Sequence, residues 1–400
     1  NEMLAEELNK LISETLDNYI KEEKLQILGQ PLPVEDSKKQ NIDIQSPSAY
    51  DFRFELGLVG DFQIPDLSGH EFSKYEVVPE DAKVLEEVEK LKVRYGTTEE
   101  TDAIVKDSVL SIVFKELNDD GSDKENGIDT TRRISIESFR NEEIKNQIMN
   151  LKKNDSLVID IFKAYDNQEE LIIHNILDIT HDQAHGMSHT FKIIIDGIFE
   201  VKKTELNQDL YNRIFGEGVV NNEVELQEKI KAELARTYKD LANEKLVADI
   251  STYLIDHTTI NFPENFLKKW ILSYNEKPVT PEQVDNEFGQ FTRQLKWDLI
   301  TERVAKENGI SIKGDELKAF AIQRMREHYF AGQVNEMVEQ YLDQMAVKML
   351  TDEKSRRNYY NMLMEEKLFD ELKKKANIQP REISYDEFLH ANPPQHHHHH

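Results

Sequence analysis

Cysteine is absent from the 400 residues, which removes disulfides, thiol catalysis and cysteine-ligated metals and fits a reducing compartment. Long apolar runs are missing too. The longest are a few residues, as at Ile193–Ile195, far short of the roughly 20 that a membrane helix needs, so no membrane partner is expected. No signal-peptide pattern stands at Asn1. Basic residues are scarce, 50 against 77 acidic, for a net charge of −27; such a field repels phosphate backbones and argues against direct DNA binding. The 15 glycines are scattered and form neither a G-x-x-x-x-G-K-[ST] nor a G-x-G-x-x-G loop, and no G-x-S-x-G elbow is present. No cofactor is therefore expected. With 38% hydrophobic and 32% charged residues, the composition predicts an elongated chain with much helical surface, divided into two to four domains.

What is present sorts along the chain. Leu4, Leu8, Leu11, Ile12, Leu16 and Ile20 repeat at three- and four-residue spacings and predict a helix, ended by Gly29, Pro31 and Pro33. Tyr50, Phe52, Phe54, Leu56 and Leu58 alternate with polar residues and predict a half-buried strand. A helix and a strand are too little for a domain, and they read as the tail of one. Pro65 to Val78 reads as an extended connector, followed by a helix with Val84, Val88, Leu91 and Tyr95 on its apolar face. The stretches 109–114, 133–136, 156–162, 171–179 and 190–199 are rich in β-branched residues and read as strands, with a short helix between Phe139 and Leu151. They make a small α+β domain. From Glu205 onward the pattern is helical. Helices are predicted at 222–257 (roughly 50 Å long, with Asn222 as N-cap), just after Pro263, and at 282–308, 314–330, 334–350 and 351–376.

Two constellations are candidates for chemistry. His174, His181, His185 and His189 cluster, and the last three recur at i, i+4, i+8, a spacing that suits zinc on a helix. Gly186 interrupts that helix, so the favoured reading is a solvated flap with no metal. Six of the nine methionines, Met325, Met337, Met345, Met349, Met362 and Met364, interleave with Phe320, Tyr329, Phe330, Tyr341 and other aromatics. Methionine adapts to irregular partners, so Met325, Phe330, Met337, Tyr341, Met345 and Met349 are candidates for client binding, against ordinary core packing for any one of them.

The run Glu205-Leu-Asn-Gln-Asp-Leu-Tyr-Asn-Arg-Ile-Phe-Gly216, the long helix after it and Ile260-Asn-Phe-Pro-Glu-Asn-Phe266 resemble the bacterial trigger factor family. Tyr385-Asp-Glu-Phe-Leu389 is similar to that family's closing segment. The resemblance implies an α+β multidomain fold. Residues 1–60 would be the C-terminal remnant of a ribosome-binding domain, 61–100 a linker and 101–203 an FKBP-type prolyl isomerase-like domain. Residues 204–390 would form a helical chaperone body with arms, leaving 391–400 as a tail with a purification tag at His396–His400. It implies an ATP-independent, cytoplasmic chaperone whose partners are unfolded or nascent polypeptides, the ribosome and a second copy of itself. The family's Gly-Phe-Arg-x-Gly-Lys docking loop is not in this sequence, so no residue is assigned to ribosome contact. In the isomerase pocket Phe114, Tyr165 and Phe191 match aromatic walls, with ordinary core packing as the favoured alternative for the three. A family phenylalanine falls near Lys124, and the Ile-Pro-Gly-Phe floor corresponds to Asn141-Glu142-Glu143-Ile144. A charged floor desolvates an imide poorly, so the pocket reads as eroded. An active isomerase and a periplasmic chaperone of related architecture are the alternatives.

Overall fold

The computed structural model describes residues 2–34, 49–330 and 335–391. They divide into two compact units, one of the described residues up to 77 together with those from 239 onward, and one of residues 78–238.

The first unit opens with helix α1 (Glu2–Glu22), which buries none of its side chains. The two-residue strands β1 (Leu32–Pro33) and β2 (Phe54–Glu55) pair antiparallel, and Ile27 bridges to Leu58. The strand predicted over Tyr50–Leu58 is thus mostly irregular. Gly57 and Val59 are buried while Leu58 is exposed, so the predicted face is lost beyond Leu56. The cause is a close approach: a Cβ at Gly57 would lie 2.4 Å from the Phe266 ring. The connector predicted at Pro65–Val78 holds a capped turn, with Asp66 accepting from Ser68 N at 2.9 Å, and then strand β3 (Glu71–Val77).

In the second unit, helix α2 (Asp81–Arg94) buries Val84 and Val88 as its periodicity predicts. An antiparallel sheet follows, built on the long strand β8 (Thr190–Lys202). Strand β5 (Val109–Glu116) lies on one side of β8, with β6 (Asp129–Ser135) beyond it. The other side of β8 is shared by β7 (Ser156–Asp160), opposite residues 190–194, and β4 (Thr97–Glu100), opposite residues 199–202. Helix α3 (Glu142–Met149) adds Ile144 and Ile148 to the core. The alternating residues of β5 and β8 supply Leu110, Ile112, Phe114, Phe191, Ile193 and Ile195 to it. The strand predicted over Leu171–Ile179 is instead a π-helical stretch, Leu171–Leu177, with Ile172, Ile173, Ile176 and Leu177 buried. Arg132 of β6 donates to two carbonyls of this segment, Ile176 O and Asn175 O.

Helix α4 (Gln208–Phe215) is capped by Asn207 and meets α2 through Tyr211. The long helix α5 (Glu223–His257) is capped by Asn222, whose Oδ1 accepts from Glu225 N at 2.9 Å. The division between units falls inside it.

The remaining helices belong to the first unit: α6 (Glu264–Tyr274), α7 (Pro281–Glu307), α8 (Gly314–Phe330), α9 (Glu336–Thr351) and α10 (Glu353–Lys375). A capping box between Thr280 and Gln283, with Pro281 in the first turn, starts α7. Strand β9 (Asn377–Ile383) then pairs parallel with β3, and helix α11 (Tyr385–Ala391) closes the described chain. One core joins α5, α7, α10 and Phe72 of β3, and a second gathers Leu28, Leu32, Val59 and Phe62 of the N-terminal segment around Phe266 and Leu267 of α6. Arg303 of α7 secures that segment. It donates to Phe62 O at 2.7 Å, pairs with Asp61 at 3.3 Å and lies 4.2 Å over the Phe62 ring. Among the described residues, no helix is long and apolar enough to cross a membrane.

Candidate functional site

Phe114, Tyr165 and Phe191 are all fully buried in the sheet's core. Strand alternation puts Phe114 and Phe191 on one face of β5 and β8, where Phe114 pairs across to Ile193 and Phe191 to Glu116. Tyr165 follows the single helical turn Ile161–Ala164 and stacks on Phe139 at 5.0 Å, an aromatic neighbour that sequence reasoning did not single out. Its hydroxyl is buried without a hydrogen-bond partner. Burial pushes its ionisation well up, and the nearby Ser138 side chain works against it.

Asn141, Glu142, Glu143 and Lys124 have structural work. Asn141 caps α3, accepting from Ile144 N at 3.0 Å, and Glu142 and Glu143 place negative charge in the first turn, where the helix dipole favours it. Lys124 donates to Glu116 Oε2 at 2.6 Å and to Gly186 O at 3.0 Å. Glu116 is buried and also accepts from Ser188 N at 2.7 Å and Ile128 N at 3.0 Å. Burial is the largest influence on its carboxyl and opposes ionisation. The Lys124 ammonium and the two N–H groups together outweigh it and hold the carboxyl below the usual glutamate range.

The methionine candidates separate by depth. Met325 is 1% exposed and packs with Ala321, Leu342 and Ala346 between α8 and α9. Met345 and Met349 are half-buried against the same cluster. Met337, 80% exposed, and Tyr341 lie on the solvent side of α9. The Phe330 side chain lies outside the described residues.

Composition missed a denser aromatic surface. Two clefts flank α7 and share Glu287 and Phe291. One, of about 590 Å³, lies between α5 and α7 and is walled by Ile255, Phe291 and Trp297, with Arg293 and Glu287 at its rim. The other, of about 350 Å³, lies between α6 and α7 and is walled by Trp270, Tyr274, Val279, Val284, Phe288 and Phe291. Trp270 stacks on Tyr274 at 5.6 Å, and its Nε1–H is buried without a partner. Both tryptophans of the chain line these clefts. The aromatics at 270, 274, 288, 291 and 297 were the available signal, spread too widely along two helices to stand out.

Comparison with known proteins bears on this arrangement. Residues 1–91 match the model described as bacterial trigger factor protein. Residues 98–203 match the probable trigger factor FKBP-like domain, and residues 242–391 the probable trigger factor C-terminal domain. The chain belongs to the trigger factor family. A trigger factor from Pelodictyon phaeoclathratiforme is 21% identical over 87% of this chain and 78% of its own length. One from Borrelia hermsii is 24% identical over 96% of this chain and 84% of its own. A solved structure described under promiscuous substrate recognition by the trigger factor chaperone aligns with 91% of this chain and 82% of that one, at 16% identity and a TM-score of 0.41. As a trigger factor family member, the chain is a folding chaperone with an FKBP-like domain.

Proposed function

We propose that this chaperone holds apolar segments of unfolded or nascent polypeptides, without nucleotide, in the two aromatic clefts that flank α7. Carrying this reading is the convergence of Trp270, Tyr274, Phe288, Phe291 and Trp297 on two open clefts. Aromatic walls bury much apolar area at little conformational cost, and carboxylates, amides and one arginine at the rims leave a client's backbone hydrated. Several shallow sites of this kind bind through many weak contacts, so clients exchange fast and no fuel is needed. Met337 and Tyr341 extend the surface onto α9. Met325, Met345 and Met349 act behind it as adaptable packing. The net charge of −27 keeps a loaded complex soluble.

The FKBP-like domain serves this role as a structural module. Phe114, Tyr165 and Phe191 are remnants of an isomerase pocket, and Asn141, Glu142 and Glu143 have replaced its apolar floor with a helix cap. A cytoplasmic setting, docking on the ribosome and self-association belong to the same proposal through the family, with no residue assigned to them.

The test is suppression of aggregation of a denatured model enzyme, followed by light scattering without ATP. Phe288→Glu with Phe291→Glu, checked for helix content, is compared with Met337→Glu. Loss of suppression in the first and retention in the second supports the clefts; full suppression by the cleft variant sinks the proposal. A protease-coupled assay on a proline tetrapeptide addresses the isomerase: turnover lost in Phe191→Ala would restore an active site.

A further inference from the structure

Glu170, His174 and His181 come together on the surface of the FKBP-like domain, and nothing in the chaperone reading uses them. Their donor atoms lie within 4.8 Å of one another. His174 Nε2 is 2.9 Å and His181 Nε2 3.6 Å from the same carboxylate oxygen, Glu170 Oε2, and the two rings meet edge to face at 4.9 Å. An ion with bonds of about 2.0–2.2 Å sets neighbouring donors roughly 2.9 Å apart in an octahedron and roughly 3.4 Å apart in a tetrahedron. Both measured edges lie close to these values.

The backbone that presents the three groups is held from beneath. Ile172, Ile173, Ile176 and Leu177 anchor the π-helical stretch in the core. Arg132 of β6 donates to Ile176 O at 3.0 Å and to Asn175 O at 3.4 Å, and its guanidinium faces Asp178 at 3.6 Å. Asp178 takes a left-handed conformation (φ 51°, ψ 54°) that turns the chain back. Thr180 and Gln183 then form a capping box that seats His181 at the first position of its short turn. His189, by contrast, stacks on Phe162 at 4.2 Å and faces Asp160. The grouping is therefore not the helical series His181, His185, His189 suggested by spacing, because that helix ends at Ala184.

We propose that Glu170, His174 and His181 form a site for a borderline divalent transition ion of the zinc and nickel class. Two imidazoles and one carboxylate prefer such ions to magnesium or calcium, which take oxygen ligands. Three protein donors leave the remaining positions to water. The bound ion clips the π-helical stretch to the chain beyond the Asp178 turn and so fastens the connection between β7 and β8. No relation to client binding is required.

The test uses the chain ended before His396, because the terminal histidines bind the same ions. Calorimetric titration with zinc chloride should give one ion per chain. Zinc at roughly one hundred times its dissociation constant should raise the melting temperature of the FKBP-like domain by several degrees. His174→Ala, His181→Ala and Glu170→Gln should each weaken binding at least about tenfold. These side chains are 51–63% exposed, so the variants keep the parent's circular dichroism. His189→Ala should bind as the parent does. No stoichiometric binding, binding of parental strength in His174→Ala with His181→Ala, or equal competition by magnesium would each overturn the proposal.

Discussion

Alanine at Gly57 is the sharpest probe of how the N-terminal segment seats on α6. Its Cβ would lie 2.4 Å from Phe266 Cδ1 and 2.5 Å from Cε1. Phe266 is 3% exposed and enclosed by Leu28, Leu32, Val59, Phe62 and Leu267, so the ring has nowhere to swing. Overpacking of this kind costs about 1–3 kcal/mol. The backbone at Gly57 is not in the left-handed region, so the cost is steric alone. Phe266→Ala by itself costs about 3–5 kcal/mol through lost burial and a cavity, but it empties the space that the new methyl needs. In that background Gly57→Ala should be neutral, or stabilise by about 0.4–1 kcal/mol through the unfolded chain. The expected coupling is therefore about 1–4 kcal/mol, in favour of the double variant. Urea unfolding followed by tryptophan fluorescence reads it, since Trp270 packs against the same cluster. An equal cost of Gly57→Ala in both backgrounds would refute the reasoning. Gly29 is the contrasting case. Its Cβ would meet the Trp270 indole at 2.6 Å, but its φ of +64° adds strain that no change in the partner relieves. With Trp270→Ala, Gly29→Ala should still cost about 1–2 kcal/mol.

Glu116→Gln should destabilise the FKBP-like domain by about 1–3 kcal/mol, because Lys124 and two half-buried N–H groups lose their charged acceptor. The Glu116 carboxyl is held low in the folded state, so its contribution is complete above the unfolded value of about 4.3 and is lost as pH falls through the folded one. Thermal melts from pH 7 down to the acid limit should show that loss in the parent and a flatter profile in the variant. Asn141→Ala should cost about 0.5–2 kcal/mol in the melting of the same domain through loss of the α3 cap, and no change would remove the capping account. Met325→Ala should cost about 2–5 kcal/mol and Met337→Ala less than about 0.5 in urea unfolding, separating the core methionine from the surface one.

Helices were legible wherever their signals were local. Asn222 caps the long helix as its position predicts, and Asn207, Thr280 and Asp352, not singled out from the sequence, cap others in the same way. The sheet was legible through its β-branched stretches, and the structure buries every second residue along most of β5 and β8. The site was less so. Methionine enrichment led to α8 and α9, where Met325 is core, while the aromatic clefts along α7 draw residues from three helices.

The sequence by itself determined the elements whose cause lies within a few residues: caps, breaks, amphipathic faces, and the motifs by which the family was recognised. Tertiary structure decided what depends on distant partners. The isoleucine-rich stretch at 171–177 has the composition of a strand and became π-helical, burying Ile172, Ile173, Ile176 and Leu177. Strand β3 formed because β9, at the far end of the chain, lies parallel beside it. His174 met His181 only through the turn at Asp178. Local signals act through three- and four-residue spacings that any window of sequence displays, whereas pairing, clefts and ligand sets depend on which surfaces find each other once the backbone groups are satisfied.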